Sequence, residues 1–210
     1  MPTVREPRLH NVAIHDLRPT QMTIGLREVE AKRDEWRGQG GDEQADFLGR
    51  HMIPVIKGPR DRFYVIDHHH LCRALSDAGQ TQVEITVVAN LSRLDKEAFW
   101  VFMDNKGWLH PYDADGKRRP WDDLPKRIAD MTDDPYRSLA GALRRGGGFA
   151  KDTTPFAEFL WADFLRRRIK PARVAKHFDK ALADALVLAK SGEADILPGW
   201  CGPSNAGAAD

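Results

Sequence analysis

A short apolar run that passes directly into a helical pattern constrains the fold of this chain most strongly. Residues 62–66 are rich in aromatic and β-branched side chains, as in a strand, and Asp67 and three histidines follow them. Apolar residues then recur at helical spacing from Leu71 to Ala78, and Gly79 is a residue type that favours a helix end. The pattern predicts a strand that runs into a helix, with Asp67 as the predicted N-cap.

The rest of the chain alternates between strand and helix patterns, which predicts a mixed α/β fold. Residues 58–61 form the predicted tight turn of a strand pair, and a turn is predicted at residues 18–20. Asp134-Pro135 and Thr154-Pro155 each place a good N-cap before a proline, which predicts two helix starts. Further strands are expected at residues 11–17, 53–56 and 83–89, and further helices at 26–36, between the glycines of 38–41 and residue 53, and at 94–103.

Length and composition suggest one compact body of 210 residues. We expect an α/β core at residues 1–92, a helical extension at 93–199 and a flexible tail at 200–210. The 32 basic and 31 acidic residues nearly cancel, so no global positive field indicates a nucleic-acid partner. Two cysteines, the absence of an apolar leader pattern and the absence of a long apolar stretch favour the cytoplasm and no membrane partner.

The predicted strand-to-helix junction is the first candidate site. A helix start presents backbone N–H groups and the positive end of the helix dipole, which suit a phosphate or carboxylate. His68, His69 and His70 would add hydrogen-bond donors, and Arg73 could reach an anion if it points back towards the helix start. Asp67 either caps the helix or holds a cation such as Mg²⁺. Zinc is less favoured, because consecutive helical residues do not share a face.

Two further segments combine charge with unusual surroundings. Arg137, Arg145 and Lys151 flank the glycines at residues 146–148, which could admit a phosphate, although a capped helix with a flexible turn explains the same pattern. Glu158 and Asp163 lie in a largely apolar helix.

Burial in this apolar helix could raise the pKa of the Glu158 or Asp163 carboxyl and suit it to acid–base chemistry. The favoured alternative is that the two carboxylates face solvent or pair with Arg137 or another cation. Residues 166–168 are three arginines that suit a helix end, with DNA binding as the weaker interpretation. The aromatic residues Phe99, Trp100 and Phe102 are predicted to be core.

Four segments together resemble the ParB-like family that is labelled a nuclease, within the ParB/sulfiredoxin superfamily. They are residues 17–21 (Leu-Arg-Pro-Thr-Gln), 65–70 (Val-Ile-Asp-His-His-His), 133–141 (Asp-Asp-Pro-Tyr-Arg-Ser-Leu-Ala-Gly) and 155–163 (Pro-Phe-Ala-Glu-Phe-Leu-Trp-Ala-Asp). The resemblance covers about residues 12–199. It implies a small mixed sheet with helices in the core and a C-terminal helical extension packed on it. It also implies nucleotide phosphates at the junction, as in CTP-hydrolysing partition proteins, sulfiredoxins and free-serine kinases.

The residue-by-residue match is uneven. The kinase pattern Asp-Gly-His-His-Arg is matched by Asp67, His69 and His70, which implies phosphate binding by the two histidines, whereas Leu71 stands where an arginine is expected. Cys72 lies three residues too late for a sulfiredoxin, so sulfinic-acid reduction is excluded. Gln21 stands where the kinases have an acid, and an amide cannot act as a base.

The leading hypothesis is therefore a phosphotransferase or phosphohydrolase that binds ATP, ADP or CTP with Mg²⁺ at Asp67. Asp67, His69 and Glu158 are the candidate catalytic residues. The candidate phosphate-binding residues are Gln21, His68, His69, His70, Arg73, Arg137 and Lys151. The alternative is a ParB-like DNA-associated regulatory module or a metal-dependent nuclease, although no helix-turn-helix module is recognisable.

Overall fold

The structure, a computed structural model, describes residues 10–203, and the chain divides into two compact units, residues 1–133 and 134–210. Residues 1–9 of the predicted core and 204–210 of the predicted tail lie outside the described residues. The predicted division at residue 92 stays a prediction. The elements confirm a mixed α/β fold, with a five-stranded mixed sheet in the first unit.

The sheet of the first unit has the strand order β1-β6-β4-β5-β2. The pairs β2–β5 and β4–β6 are parallel, and the pairs β1–β6 and β4–β5 are antiparallel. A smaller parallel pair joins β3 to β7. The strands are β1 (His10–Ala13), β2 (Leu17–Pro19), β3 (Thr23–Ile24), β4 (Ile53–Lys57), β5 (Phe63–Val65), β6 (Gln82–Asn90) and β7 (Thr132–Asp133).

The connection between β1 and β2 requires this sheet to curl. These strands form opposite edges, yet only the 3₁₀ turn Ile14–Asp16 joins them. Four interstrand spacings of a flat sheet span about 19 Å. The four Cα steps from Ala13 to Leu17 reach at most about 15 Å. The two edges are therefore drawn towards each other, and Ile14 is buried between them in the main core.

Four helices pack on the sheet of the first unit, and the predicted positions of all four are confirmed to within a few residues. Side chains along β5 point alternately to the two faces of the sheet. Phe63 and Val65 belong to one core, together with Leu75. Tyr64 belongs to the core on the other face, together with Phe99 and Trp100. The helices are α1 (Leu26–Arg37), α2 (Gly41–Arg50), α3 (His69–Asp77) and α4 (Lys96–Asn105). Phe102, predicted as core, is instead 37% exposed.

The second unit is helical around its own core. Asp134 caps its first helix as predicted, because its carboxylate accepts a hydrogen bond from the N–H of Tyr136 at 2.9 Å. Trp161 is fully buried there and stacks on Phe149. The helices are α5 (Pro135–Arg145), α6 (Ala157–Arg166), α7 (Pro171–Lys176) and α8 (Phe178–Ala189).

Three local predictions were wrong. The strand predicted at residues 11–17 ends at Ala13 and is followed by the 3₁₀ turn Ile14–Asp16, and the turn predicted after it is strand β2, because Arg18 and Pro19 pair with β5. α6 begins two residues after Pro155, and its N-cap is Phe156 in the left-handed conformation rather than Thr154. The N-cap of α3 is His68 rather than Asp67. At the start of both helices, a residue with φ of about 60° turns the chain into the helix. This left-handed conformation is uncommon for residues other than glycine, so N-cap preferences did not predict it.

Cys72 of α3 offers a direct probe of the first core. Burial raises the pKa of its thiol from 9.0 to about 12, whereas Cys201 is exposed. Because only the thiolate is nucleophilic, we expect a disulfide reagent to label Cys201 at once and Cys72 only when the first unit opens. Ionisation of this group in the unfolded chain also lowers stability as the pH rises from 9.0 towards about 12.

The measurement is timed thiol labelling with mass-spectrometric readout. A Cys201→Ser variant, which leaves a single thiol, should show only the slow phase. Rapid labelling of that variant at neutral pH would contradict the buried position of Cys72.

No helix among the described residues is both long and apolar enough to cross a bilayer.

Candidate functional site

The junction between β5 and α3 is built by one left-handed residue. His68 has φ 63° and ψ 25°, and its carbonyl accepts the first α-helical hydrogen bond, from Cys72, at 2.9 Å. The N–H groups of His69, His70 and Leu71 precede that bond and are directed towards the helix start. A left-handed residue followed by right-handed ones forms a concave set of N–H groups that suits an anion.

The carboxylate of Asp67 lies at this concave start. Its Oδ1 accepts a hydrogen bond from the N–H of His68 at 2.6 Å, and the side chain is exposed. Asp67 therefore accepts a hydrogen bond from the N–H of the N-cap residue and not from an N–H group within the helix. Because the side chain is exposed, its second oxygen is accessible to a cation.

His69 is 2% exposed, and both of its ring nitrogens have protein partners. Nε2 accepts from the N–H of Thr20 at 3.3 Å, and Nδ1 lies 3.0 Å from the side-chain amide of Gln21. The Gln21 atom at that distance is Nε2. Because Nε2 of His69 uses its lone pair for Thr20, the neutral ring carries its proton on Nδ1, so the Gln21 amide must be turned to present its oxygen to this proton. His69 thus joins α3 to the end of β2.

His70, the next residue, makes a similar connection to the segment that precedes α1. Its Nε2 accepts from the N–H of Gly25 at 3.1 Å and lies 3.4 Å from Oε2 of Glu28, which is 7% exposed. Both histidines therefore hold the segment from β2 to α1 against the start of α3. Thr20 strengthens the same attachment by donating from Oγ1 to the carbonyl of Val65 at 2.7 Å.

Two buried polar atoms at this junction lack a hydrogen-bond partner among the described residues. One is Nδ1 of His68. The other is in the side-chain amide of Gln21, which is 9% exposed, and it is the amide nitrogen once the oxygen accepts from Nδ1 of His69. A buried polar group without a partner costs about 1–3 kcal/mol, so native proteins seldom leave one unless a ligand or water meets it. The two atoms make the junction a candidate ligand site.

Arg73 lies on the same helix but is directed towards its other end. Its Nε donates to Asp77 at 2.9 Å, and its Nη1 donates to the carbonyl of Met131 at 3.1 Å. In the observed conformation it serves as a tie between α3 and the loop before β7. Binding of phosphate by Arg73 stays a prediction and would require these bonds to break.

Three other predicted residues belong to the second unit. Arg137 is 4% exposed; its Nη2 lies 3.2 Å from Oε2 of Glu158, and its guanidinium carbon lies 3.9 Å from the ring centre of Phe159. Nε of Arg144 donates to the other oxygen of Glu158 at 2.8 Å. Glu158 is therefore paired with Arg137, which was the favoured alternative to a role in acid–base chemistry. Lys151 is exposed after the glycine turn.

The arginines at the end of α6 are also engaged within the second unit. Arg166 pairs with Asp163, and its Nη2 donates to the buried carboxylate of Asp134 at 2.6 Å. Burial is the main cause that raises the pKa of Asp134, and the Arg166 charge opposes it. Nε of Arg168 donates to Glu193 at 2.8 Å. Arg166 and Arg168 are thus engaged in ion pairs within the second unit, whereas Arg167 is exposed, and DNA binding by this cluster stays a prediction.

Sequence reasoning missed Thr20 and Gly25 as partners of the histidines. Both bonds use backbone N–H groups, which every non-proline residue carries, so residue type gave no signal. The run of three adjacent histidines was the available signal, since any imidazole that is buried needs hydrogen-bond partners.

Comparison with family models identifies one family. The family model described as "Putative ParB-like nuclease" matches residues 10–167. The crystal structure of protein Atu1540 from Agrobacterium tumefaciens is similar, with 55% sequence identity and a TM-score of 0.90, and the match covers 95% of this chain and 99% of that chain. No curated protein matches the chain.

Proposed function

The chain belongs to the ParB-like nuclease family, and on that premise we propose that it binds the phosphate groups of a nucleotide at the start of α3. The observation that carries the proposal is the junction itself. A left-handed His68, the N–H groups that precede the first helical bond and two buried polar atoms without partners converge there. Helix N-termini of this kind are common phosphate sites.

Backbone groups and His68, rather than the rings of His69 and His70, best suit the phosphate. The lone pairs of Nε2 in both rings already accept backbone N–H groups, so those atoms carry no proton to donate to an anion. Nδ1 of His68 has no hydrogen-bond partner within residues 10–203 and can carry a proton for an anion. His69 and His70 then act by fixing the start of α3 in position.

Asp67 gives the proposed site its dependence on a divalent cation. Its carboxylate would repel a phosphate bound to the same concave start, unless a cation lies between them. Mg²⁺ commonly binds one or two carboxylates together with substrate phosphates. That fits an isolated Asp67, because the described residues contain no cluster of three or more acidic, histidine or cysteine ligands. The associated reaction would be phosphotransfer or phosphate hydrolysis.

The decisive experiment is calorimetric titration with ATP, ADP and CTP, each with and without Mg²⁺. For the native protein we expect binding with Mg²⁺ and binding at least about tenfold weaker without it, a difference of about 1.4 kcal/mol. Asp67→Asn should abolish that difference, because it removes the repulsion and the cation ligand together while it keeps an acceptor for the N–H of His68.

A matched control is Asp34→Asn, which removes an exposed carboxylate from α1. It should leave the Mg²⁺ effect unchanged. The proposal fails if no nucleotide gives heat with the native protein, or if Asp67→Asn retains the full response to Mg²⁺.

A further inference from the structure

A cavity in the first unit, at the end of β5 opposite the junction with α3, is lined by several positively charged side chains. Its volume is about 490 Å³, and it is enclosed by β2, β5, the turn before β5, α4 and the segment 121–126. We propose that this cavity and its neighbour form a groove for the phosphate backbone of single-stranded nucleic acid. Asp67, His68, His69 and His70 line neither cavity, so this site is separate from the junction.

The pairing of β2 with β5 puts two arginines of the cavity on the same face of the sheet. Arg18 and Tyr64 are register partners in the parallel pair β2–β5, so their side chains lie on the same face of the sheet. Arg62 precedes Tyr64 by two positions and lies on that face as well. α4 covers the centre of the face with Phe99 and Trp100, and the arginines remain along its margin, where they line the cavity.

Four of the cations in the first cavity have no counter-charge. Arg18, Arg60, Arg62 and Lys126 make no ion pair or side-chain hydrogen bond within residues 10–203. Asp122, the one carboxylate of the lining, already pairs with Lys96. The chain as a whole carries a formal charge of only +1, so this is a local excess. Like charges this close repel, and a bound polyanion relieves that repulsion.

The charge continues into a second cavity of about 610 Å³, which shares Arg18, Arg62 and Lys126 with the first. Two of the three carboxylates in that cavity are paired with cations. Oδ1 of Asp61 lies 2.8 Å from Nζ of Lys57, and Oδ2 of Asp130 lies 3.0 Å from Nε of Arg127. Asp16 lies 3.5 Å from His15, which neutralises it only when the ring is protonated.

Cations shared between adjoining cavities suit a chain of phosphates better than a single phosphate. Trp121, half-buried in the wall of the first cavity, adds an aromatic surface for a base. A basic groove beside an aromatic side chain is the usual arrangement for binding single strands.

The test is the salt dependence of binding to a fluorescent dT15 oligonucleotide, measured by anisotropy. Each phosphate neutralised in a single strand adds about 0.7 to the slope of log affinity against log salt concentration. Arg18→Ala/Arg62→Ala should therefore reduce that slope by about 1.4 and weaken binding at low salt at least about tenfold. Arg18→Lys/Arg62→Lys keeps the charges and should keep the slope, which guards against an effect of misfolding.

The matched control is Lys32→Ala/Arg93→Ala, which removes two exposed cations elsewhere in the first unit. It should leave the slope nearly unchanged. Equal slopes for the two alanine pairs would overturn the proposal, and so would the absence of dT15 binding at low salt, even where CTP binds. Asp67→Asn should retain dT15 binding, so that failure of the nucleotide site and failure of the groove are told apart.

Discussion

Substitution of His69 by leucine should lower the free energy of unfolding of the first unit by about 2–5 kcal/mol. The side chain is 2% exposed and serves two buried groups, the N–H of Thr20 and the amide of Gln21. Leucine fills a similar volume but offers neither a donor nor an acceptor. Each buried polar group left without a partner costs about 1–3 kcal/mol, so the loss comes from hydrogen bonding rather than from a cavity.

Urea denaturation followed by labelling of Cys72 measures this effect, because Cys72 belongs to the core of the first unit. The matched control is His10→Leu, which replaces an exposed histidine and should change stability by less than about 0.5 kcal/mol. If His69→Leu were as stable as the native protein, the positioning role assigned to this histidine would be wrong, and its ring would be available to a ligand.

Glu158→Leu should destabilise the second unit by about 3–5 kcal/mol. The substitution leaves the guanidinium of Arg137, which is 4% exposed, without its carboxylate. Nε and Nη1 of Arg137 already lack hydrogen-bond partners in the described part of the chain. Loss of one member of a buried ion pair is costly because the other charge remains desolvated and uncompensated. Arg144 also loses its partner, but it is partly exposed and can turn to water.

The double variant Arg137→Met/Glu158→Leu distinguishes this explanation from a loss of packing. An apolar pair of similar volume removes both buried charges, so we expect it to recover most of the stability lost in Glu158→Leu. Thermal unfolding followed by tryptophan fluorescence gives the comparison, since Trp161 lies in the same core. Glu193→Leu breaks the exposed pair with Arg168 and should cost no more than about 1 kcal/mol. A double variant no more stable than Glu158→Leu would contradict the ion-pair account.

The elements that sequence predicts well are those whose periodicity is local. α1, β6 and the strand-to-helix passage at the junction all follow from patterns within about ten residues. Asp134 is also predictable as a cap, since an N-cap acts on amides two or three residues away.

Long-range partners were not predictable in the same way. His69 meets Thr20 and His70 meets Gly25 across 49 and 45 residues of chain, through backbone amides that carry no residue-specific signal. The left-handed conformation of His68 is likewise imposed by the surroundings rather than by its own preference. The basic groove escaped notice because its cations come from three separate segments, around residues 18, 60–62 and 126.

The short link between β1 and β2 has a consequence for how the first unit opens. In most open sheets each edge strand can fray by itself. Here one continuous stretch, from His10 to Pro19, supplies both edges, and the buried Ile14 anchors it midway. Release of that anchor exposes the outer amides of β6 and of β5 together, so the two borders should behave as a single cooperative unit in native-state hydrogen exchange.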